Sequence, residues 1–344
     1  MTRRDTTAFE SKQNDEYLDE RNERVAEPLE LFPPKNPNPS TLLPKKLIAD
    51  YKTAWGAAYC GNSVELLSSL PKESIDLVFT SPPYALHFKK EYGNVDKNEY
   101  VDWFRPFGEQ IFRVLKPTGS FVLNIGGSYN AGSPTRSLYH FRVLLMLCDD
   151  VGFHLAQECF WYNPAKLPSP AEWVNVRRMR VKDSVEYIWW LSKDPNPKAD
   201  NSKVLAEYSA DMKRLLVKGY RAKERPSGHK ITDKFADRGG SIPSNVVIRG
   251  NNESNSDYIK LCAEQGFKPH PARFPAALPE FFIQFLTDQE DLVVDPFAGS
   301  NTTGAVADRL RRRWLAFELE TKYVEASRLR FPQAEEQSRA ARSR

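Results

Sequence analysis

Apolar positions along the chain fall into short runs and into stripes of helical spacing, and the two kinds alternate. Residues 57–60 predict a short strand, and residues 62–70 a helix with Leu66, Leu67 and Leu70 on one face. Residues 75–80 form an apolar, strand-forming run that stops at Ser81-Pro82-Pro83. Residues 100–115 carry Trp103, Phe107, Ile111 and Leu115 at helical spacing. Lys116-Pro117-Thr118-Gly119 reads as a turn before a buried-type strand over 120–125. A helix over 141–151 and a strand over 156–162 follow. Farther on come a helix at 279–286, a strand at 292–295, a helix at 302–310 and a strand at 314–318. Strands alternating with helices in this way predict an α/β fold with a mostly parallel sheet.

Three stretches break the rhythm. Residues 1–45 are charge-rich and then dense in proline (Pro28, Pro33, Pro34, Pro37, Pro39, Pro44), which predicts a poorly ordered segment without helices or sheet ladders. Residues 332–344 read as a frayed tail. Residues 165–265 are richer in Pro, Gly, Asn, Ser and basic side chains, and read as an inserted region of lower regularity between the sheet-forming parts 46–164 and 266–331. The net charge is only +4, but residues 165–260 hold 19 Lys/Arg against 12 Asp/Glu, whereas residues 1–50 hold 8 against 10. Arg177, Arg178, Arg180 and Lys182 stand close together and suit a polyanion, although on charge alone a solvated face is the simpler reading. Trp161, Trp173, Trp189 and Trp190 read as core.

The four cysteines, Cys60, Cys148, Cys159 and Cys262, have neither CxxC nor metal-ligand spacing, so they read as reduced structural thiols, with no metal site. The polar start has no apolar stretch behind it and no run approaches a membrane span, which predicts a soluble, intracellular protein.

Two motifs stand at the ends of predicted strands, where open α/β sheets place their ligands. In the first, Ser81-Pro82-Pro83-Tyr84, the prolines remove two backbone donors and stiffen the turn, so that it presents carbonyl oxygens. Ser81 adds a hydroxyl acceptor and Tyr84 an aromatic face. An amino group on a planar ring fits this set: the hydroxyl and a proline carbonyl accept its two hydrogens while the tyrosine stacks on the ring. Ser-Pro-Pro is also an ordinary loop sequence. The second, Asp295-Pro296-Phe297-Ala298-Gly299-Ser300-Asn301-Thr302, reads as strand, glycine turn and helix start, whose N–H groups suit a carboxylate. Glu318 ends the next strand, where an acid holds ribose hydroxyls. Neither GxGxxG nor a Gly-Lys-Ser/Thr loop occurs with them, which points to a nucleoside-like ligand without a pyrophosphate.

Together, Thr80-Ser81-Pro82-Pro83-Tyr84 and Asp295-Pro296-Phe297-x-Gly299-Ser300-x-Thr302-Thr303 resemble the catalytic and cofactor signatures of amino-group DNA methyltransferases. Ser81, where others carry Asp or Asn, points to the cytosine-N4 branch. The catalytic motif comes first, then the basic insert, then the cofactor motif, which matches the circularly permuted β group. Leu167-Pro168-Ser169-Pro170, Arg225-Pro226-Ser227-Gly228-His229 and His270-Pro271-Ala272-Arg273-Phe274-Pro275 look like the PvuII-type modification methyltransferases, and the resemblance covers roughly residues 55–330.

That resemblance implies a Rossmann-like, S-adenosyl-L-methionine-dependent methyltransferase fold with 165–265 as target-recognition region. It implies methyl transfer to the N4 amino group of cytosine in double-stranded DNA, by base flipping and direct transfer, with Ser81, Pro82, Pro83 and Tyr84 catalytic. It sets Asp295, Phe297, Gly299, Ser300, Asn301 and Thr302 around the methionine end of the cofactor and Glu318 on its ribose. His270 to Pro275, with Phe274, closes over it. Asn62 falls near the adenine, where the family often has Asp, and Asn301 stands where Gly is common. His229 and His270 read equally well as structural histidines. Arg177, Arg178, Arg180, Lys182, Arg225 and His229 fall to DNA. The implied context is a restriction-modification system in a bacterial cytoplasm, with a separately encoded endonuclease that does not bind and an enzyme acting as a monomer. C5 methylation needs a cysteine after proline, and Tyr59, Leu147, Glu158 and Leu261 precede the four cysteines. The alternatives are adenine-N6 methylation, a silent DNA-binding regulator of the same fold, and transfer to RNA or protein glutamine.

Overall fold

Long apolar runs bounded by turn residues become strands buried on both faces, and here they form the centre of one sheet. The computed structural model describes residues 33–85, 95–218, 223–224, 230–231, 237–251 and 256–331. The expectations for 1–32 and 332–344, and Arg225 and His229, lie outside the described residues. In chain order the elements are β1 (Tyr51–Lys52), β2 (Gly56–Cys60), α1 (Ser63–Ser68), β3 (Ile75–Thr80), α2 (Tyr100–Val114), β4 (Leu115–Ile125) and α3 (Tyr139–Leu145). They continue with β5 (His154–Tyr162), β6 (Val185–Ser192), α4 (Ala210–Lys218), β7 (Lys223–Glu224), β8 (Lys230–Ile231), β9 (Val246–Ile248) and α5 (Asp257–Glu264). The last are α6 (Ala277–Leu286), β10 (Leu292–Asp295), α7 (Thr302–Arg309), β11 (Arg313–Glu318) and α8 (Thr321–Ser327). One compact unit begins at Pro34 and holds all of them.

Among the described residues the main sheet has nine strands in the order β1-β2-β11-β10-β3-β4-β6-β5-β9, and β7 and β8 form a separate ladder. Strands β2, β11, β10, β3 and β4 run parallel, with β6 antiparallel to both β4 and β5. The two strands nearest the C-terminus are therefore inserted between β2 and β3. Alternation along each strand feeds two cores: Val78, Phe121 and Phe317 face α1, α2 and α3, whereas Leu77, Phe79 and Trp314 face α6 and α7. Asp76, an acid within the apolar β3, is satisfied by Lys116 at 2.7 Å and by the Leu292 N–H at 2.9 Å. Gly56 is required where it stands, because a Cβ there would lie 2.2 Å from the Trp314 ring.

Several expectations change. The 34–45 stretch is not disordered: Pro39–Leu42 forms a 3₁₀ turn capped by the Asn38 side chain, and Leu43 is buried. Proline sets the φ of such a turn rather than opposing it. Lys116 to Gly119 is not a turn between elements but the entry of β4, with a register shift against β3 between Ile75 and Leu77. In α2 the buried stripe is Phe104, Phe107, Ile111 and Val114, and Trp103 is only partly buried. The 141–151 helix is α3 continued as a π-helical turn over Met146–Val151, ended by Gly152 at φ 98°. Residues 165–265 are not one insert, because β6 lies within them and occupies the sheet next to β4. Trp161, Trp189 and Trp190 are buried as expected, but Trp173 is half-exposed under the Arg177 guanidinium.

Candidate active site

Strand β3 delivers Ser81-Pro82-Pro83-Tyr84 to the carboxyl edge of the sheet, and β10 delivers the 295–302 turn beside it. Both border one cavity of about 740 Å³. Ser81, Pro82, Pro83 and Tyr84 line one part of it; Asn62, Phe297, Gly299, Ser300, Thr302, Glu318, His270 and Phe274 line the rest.

The first part is a chain of polar contacts. The Tyr84 hydroxyl donates to Glu186 Oε2 at 2.7 Å, and Lys166 Nζ lies 3.1 Å from the other oxygen. Asn124 Nδ2 donates to Tyr84 Oη at 3.3 Å and to Ser81 Oγ at 3.4 Å, and Ser81 Oγ stands 3.3 Å from Tyr84 Oη. With the tyrosine proton held by the carboxylate, Ser81 is the donor in the last contact. It accepts from Asn124, and one lone pair remains for the cavity. Asn124 is buried at the end of β4, and its Oδ1 has no hydrogen-bond partner among the described residues. Burial and then the Glu186 charge hold the Tyr84 phenol well above its usual range, so it stays protonated. The Tyr84 ring lies against Gly126, where a Cβ would be 2.4 Å away. The Tyr100 hydroxyl donates to the Pro83 carbonyl at 2.6 Å and fixes the turn.

In the second part, Glu318 is oriented by backbone donors, Gly299 N–H to Oε2 at 2.8 Å and Glu320 N–H to Oε1 at 3.0 Å, and burial raises its carboxyl. Gly299 has φ 52°, and a Cβ there would stand 3.2 Å from the His270 ring. His270 itself packs edge-on against Tyr323 at 4.5 Å, so it is both a structural histidine and part of the wall. Phe297 packs against Trp103 and Phe107, with ring centroids 5.8 and 4.7 Å away, and the three make an aromatic wall of the cavity.

Two expected ligand residues are not in the wall. Asp295 is buried beneath the turn. It accepts from Thr80 Oγ1 at 2.6 Å, Phe297 N–H at 3.0 Å and Thr303 Oγ1 at 2.6 Å, and so ties β3, β10 and α7 together. Burial lifts its carboxyl to about 6 against those bonds. Asn301 is also buried. It caps α7 through Gly304 N–H at 3.0 Å, donates to Tyr51 Oη at 2.9 Å and sits at φ 54°. Asn62 reaches the wall, but its Oδ1 caps α1 through Val64 N–H at 2.9 Å.

On the basic segment, Arg177 is 60% exposed beside Glu172, and Arg178 is exposed at φ 53°. Arg180 is only 17% exposed and bonds the Pro134 carbonyl and Asp183, so its guanidinium is structural. Lys182 bonds the carbonyls of Pro164 and Lys166. Asn124, Lys166 and Glu186 escaped the sequence reading. Asn124 had a signal, a polar residue ending an apolar strand; the other two lay in what read as a separate region.

A mostly parallel sheet with the Ser81–Tyr84 turn and the 295–302 turn on adjacent strand ends, the former first in sequence, has the layout of a permuted α/β methyltransferase. A family model described as DNA methylase matches residues 75–329, and the chain belongs to that family. It is 56% identical over 285 residues to the type II methyltransferase M.PvuII of Proteus hauseri, across 82% of this chain and 85% of that protein. It is 29% identical over 284 residues to M.ScaI of Streptomyces caespitosus, across 80% of this chain and 81% of that protein. The solved PvuII DNA methyltransferase (cytosine-N4-specific) matches with TM-score 0.69 and 48% identity, over 85% of this chain and 93% of that one. A Thermus thermophilus protein complexed with S-adenosyl-L-methionine shares the fold at TM-score 0.51 and 21% identity, over 80% of this chain and 95% of that one. No helix among the described residues is long and apolar enough to cross a membrane, and no group of three or more possible metal ligands occurs among them.

Proposed function

We propose that the chain transfers a methyl group from S-adenosylmethionine to the N4 amino group of cytosine in double-stranded DNA, as the modification enzyme of a restriction-modification system. The observation that carries this is the single cavity joining the Ser81 hydroxyl to the Glu318–Gly299 cradle. The cytosine-N4 specificity of the solved PvuII enzyme supports the choice of base.

The residues present fit the cofactor. Glu318 keeps lone pairs for ribose hydroxyls, Gly299 leaves room that any side chain would fill, and the aromatic wall of Phe297, Trp103 and Phe107 suits the face or edge of a purine. When bound, S-adenosylmethionine supplies an electrophilic methyl on a positively charged sulfur. The target base leaves the helix and enters the cavity, where stacking on Tyr84 offsets about 1–3 kcal/mol of the unstacking. Ser81 Oγ and the Pro82 carbonyl accept the two amino hydrogens and leave the nitrogen lone pair directed at the methyl, so most of the catalysis is positioning. The nitrogen gives up one proton on methylation. The contacts offer it a path: Ser81 Oγ takes it and passes its own proton to Tyr84 Oη, which passes its proton to Glu186. The exposed Arg177 and Arg178 hold phosphates, and the enzyme works as a monomer in the cytoplasm beside a separately encoded endonuclease.

The test is to incubate the protein with S-adenosylmethionine and unmethylated plasmid, digest to nucleosides and identify the product by mass spectrometry. N4-methyldeoxycytidine is expected, and it is lost in Ser81→Ala and Tyr84→Ala. N6-methyldeoxyadenosine would overturn the reading of Ser81. Glu186→Gln keeps an acceptor for Tyr84 but accepts no proton, so kcat should fall by about 10²-fold or more with cofactor binding unchanged. Unchanged kcat would remove Glu186 from the proton path.

A further inference from the structure

The segment following β5 leaves the cavity wall and turns outward. Asn163 and Lys166 belong to the wall, and Lys166 reaches Glu186 at 3.1 Å. The next residue, Leu167, is not part of the wall and is 80% exposed. Its backbone is nonetheless held. Lys182 Nζ donates to the Pro164 carbonyl at 3.2 Å and the Lys166 carbonyl at 3.3 Å, and the Val174 N–H donates to the Pro170 carbonyl at 3.0 Å. Pro164, Pro168 and Pro170 stiffen the same stretch. Polar contacts thus fix the chain on both sides of a leucine whose side chain is left in water. A single exposed leucine is ordinary; one held rigidly next to a cavity wall has no folding purpose. Val181, beside the tethering Lys182, is 85% exposed as well, and the exposed Arg177 and Arg178 lie in the same segment. Apolar tips with guanidinium groups alongside match a duplex, whose interior is apolar and whose edges are anionic.

We propose that Leu167 is a wedge that enters the base stack of duplex DNA and fills the space left when the target base turns into the cavity; this rests on the methyltransferase reading above. Leucine offers the orphaned partner base no hydrogen bond, so it acts by volume, as apolar side chains inserted between base steps do. It hinders the return of the extruded base and offsets part of the unstacking. Its partner is therefore paired DNA, not a free nucleotide.

Two synthetic duplexes containing the sequence found methylated on plasmid test this: one fully paired, the other with an abasic site opposite the target base, which already loosens it. Leu167→Ala, at an exposed position, should melt at the wild-type temperature. On the paired duplex it should lose about tenfold in kcat/KM, and on the abasic duplex less than about twofold. Leu167→Met should behave as wild type on both. Equal loss on both duplexes, or loss on neither, overturns the proposal. So does a variant that keeps both rates but loses a dimer seen for the wild type by sedimentation, which would give Leu167 to a second copy of the chain. If the unaltered protein methylates neither duplex, the methyltransferase reading fails and the wedge fails with it.

Discussion

Asp295 and Glu318 are two buried acids at neighbouring strand ends with different duties. Glu318 meets the cavity with its carboxylate aimed by two backbone N–H groups, whereas the oxygens of Asp295 are taken up by two threonine hydroxyls and a backbone N–H. Asp295 therefore bears on stability, with a defined sign. Its folded carboxyl titrates at about 6, above an unfolded value of about 3.9, so the folded protein binds this proton first. Its contribution to stability is full below the unfolded value and is lost as pH rises through about 6. Asp295→Asn removes that component. The melting temperature of wild type minus that of the variant should be larger near pH 4.5 than near pH 7, read by thermal melts across roughly that range. A difference independent of pH would contradict the assignment. Residue types were legible here while directions were not: the motif held Asp295 and Asn301, but their partners Thr80, Thr303 and Tyr51 come from elsewhere in the chain, and only packing shows the two side chains facing away from the cavity.

At the scale of elements, α7 starts on a residue in the left-handed region, Asn301, whose side chain caps the helix. Asn301→Ala loses the cap and leaves at the left-handed φ a residue without the amide hydrogen bonds that let Asn tolerate it, and should lower the unfolding free energy by about 1–2 kcal/mol in urea titrations. Asn301→Gly tolerates that φ and caps nearly as well, so it should lose distinctly less, keeping only the deficit from Tyr51. Equal losses would mean that the Tyr51 contact, not the cap, is what matters. The strands β2, β3, β10 and β11 were legible because each is an apolar run ended by turn residues. Two features were not. Lys116 to Gly119 has the composition of a turn, but pairing with β3 recruits it into β4. Strand β6 has a clear apolar run, Tyr187 to Leu191, yet nothing in its local pattern says that it crosses back to pair antiparallel with β4, carrying Glu186 to Tyr84.

For the whole molecule, the basic character of the middle region was visible in the sequence, but the structure divides it. Arg180 holds the fold, Lys182 is exposed while bonding two backbone carbonyls, and Arg177 and Arg178 face solvent. The double variant Arg177→Ala/Arg178→Ala should weaken binding to duplexes of any sequence. It should also flatten the dependence of log Kd on log salt by about two, as for two lost phosphate contacts. Fluorescence anisotropy at several salt concentrations measures this, and an unchanged slope would take both arginines off the DNA backbone.

The sheet order carries one more consequence, for synthesis on the ribosome. Strands β2 and β3 emerge early, yet each keeps an open edge until β10 and β11 arrive and fill the gap between them. At about 5–20 residues per second, the roughly two hundred residues separating β3 from β10 take on the order of ten seconds or more to translate. Throughout that interval the nascent chain displays two apolar edges of the kind that invites mispairing, and it calls for sheltering by chaperones. It also holds Ser81 and Tyr84 with no opposite wall, since Gly299 and Glu318 have yet to be made. A transcript broken upstream of β10 thus yields a chain that carries the Ser81–Tyr84 turn and marks no DNA.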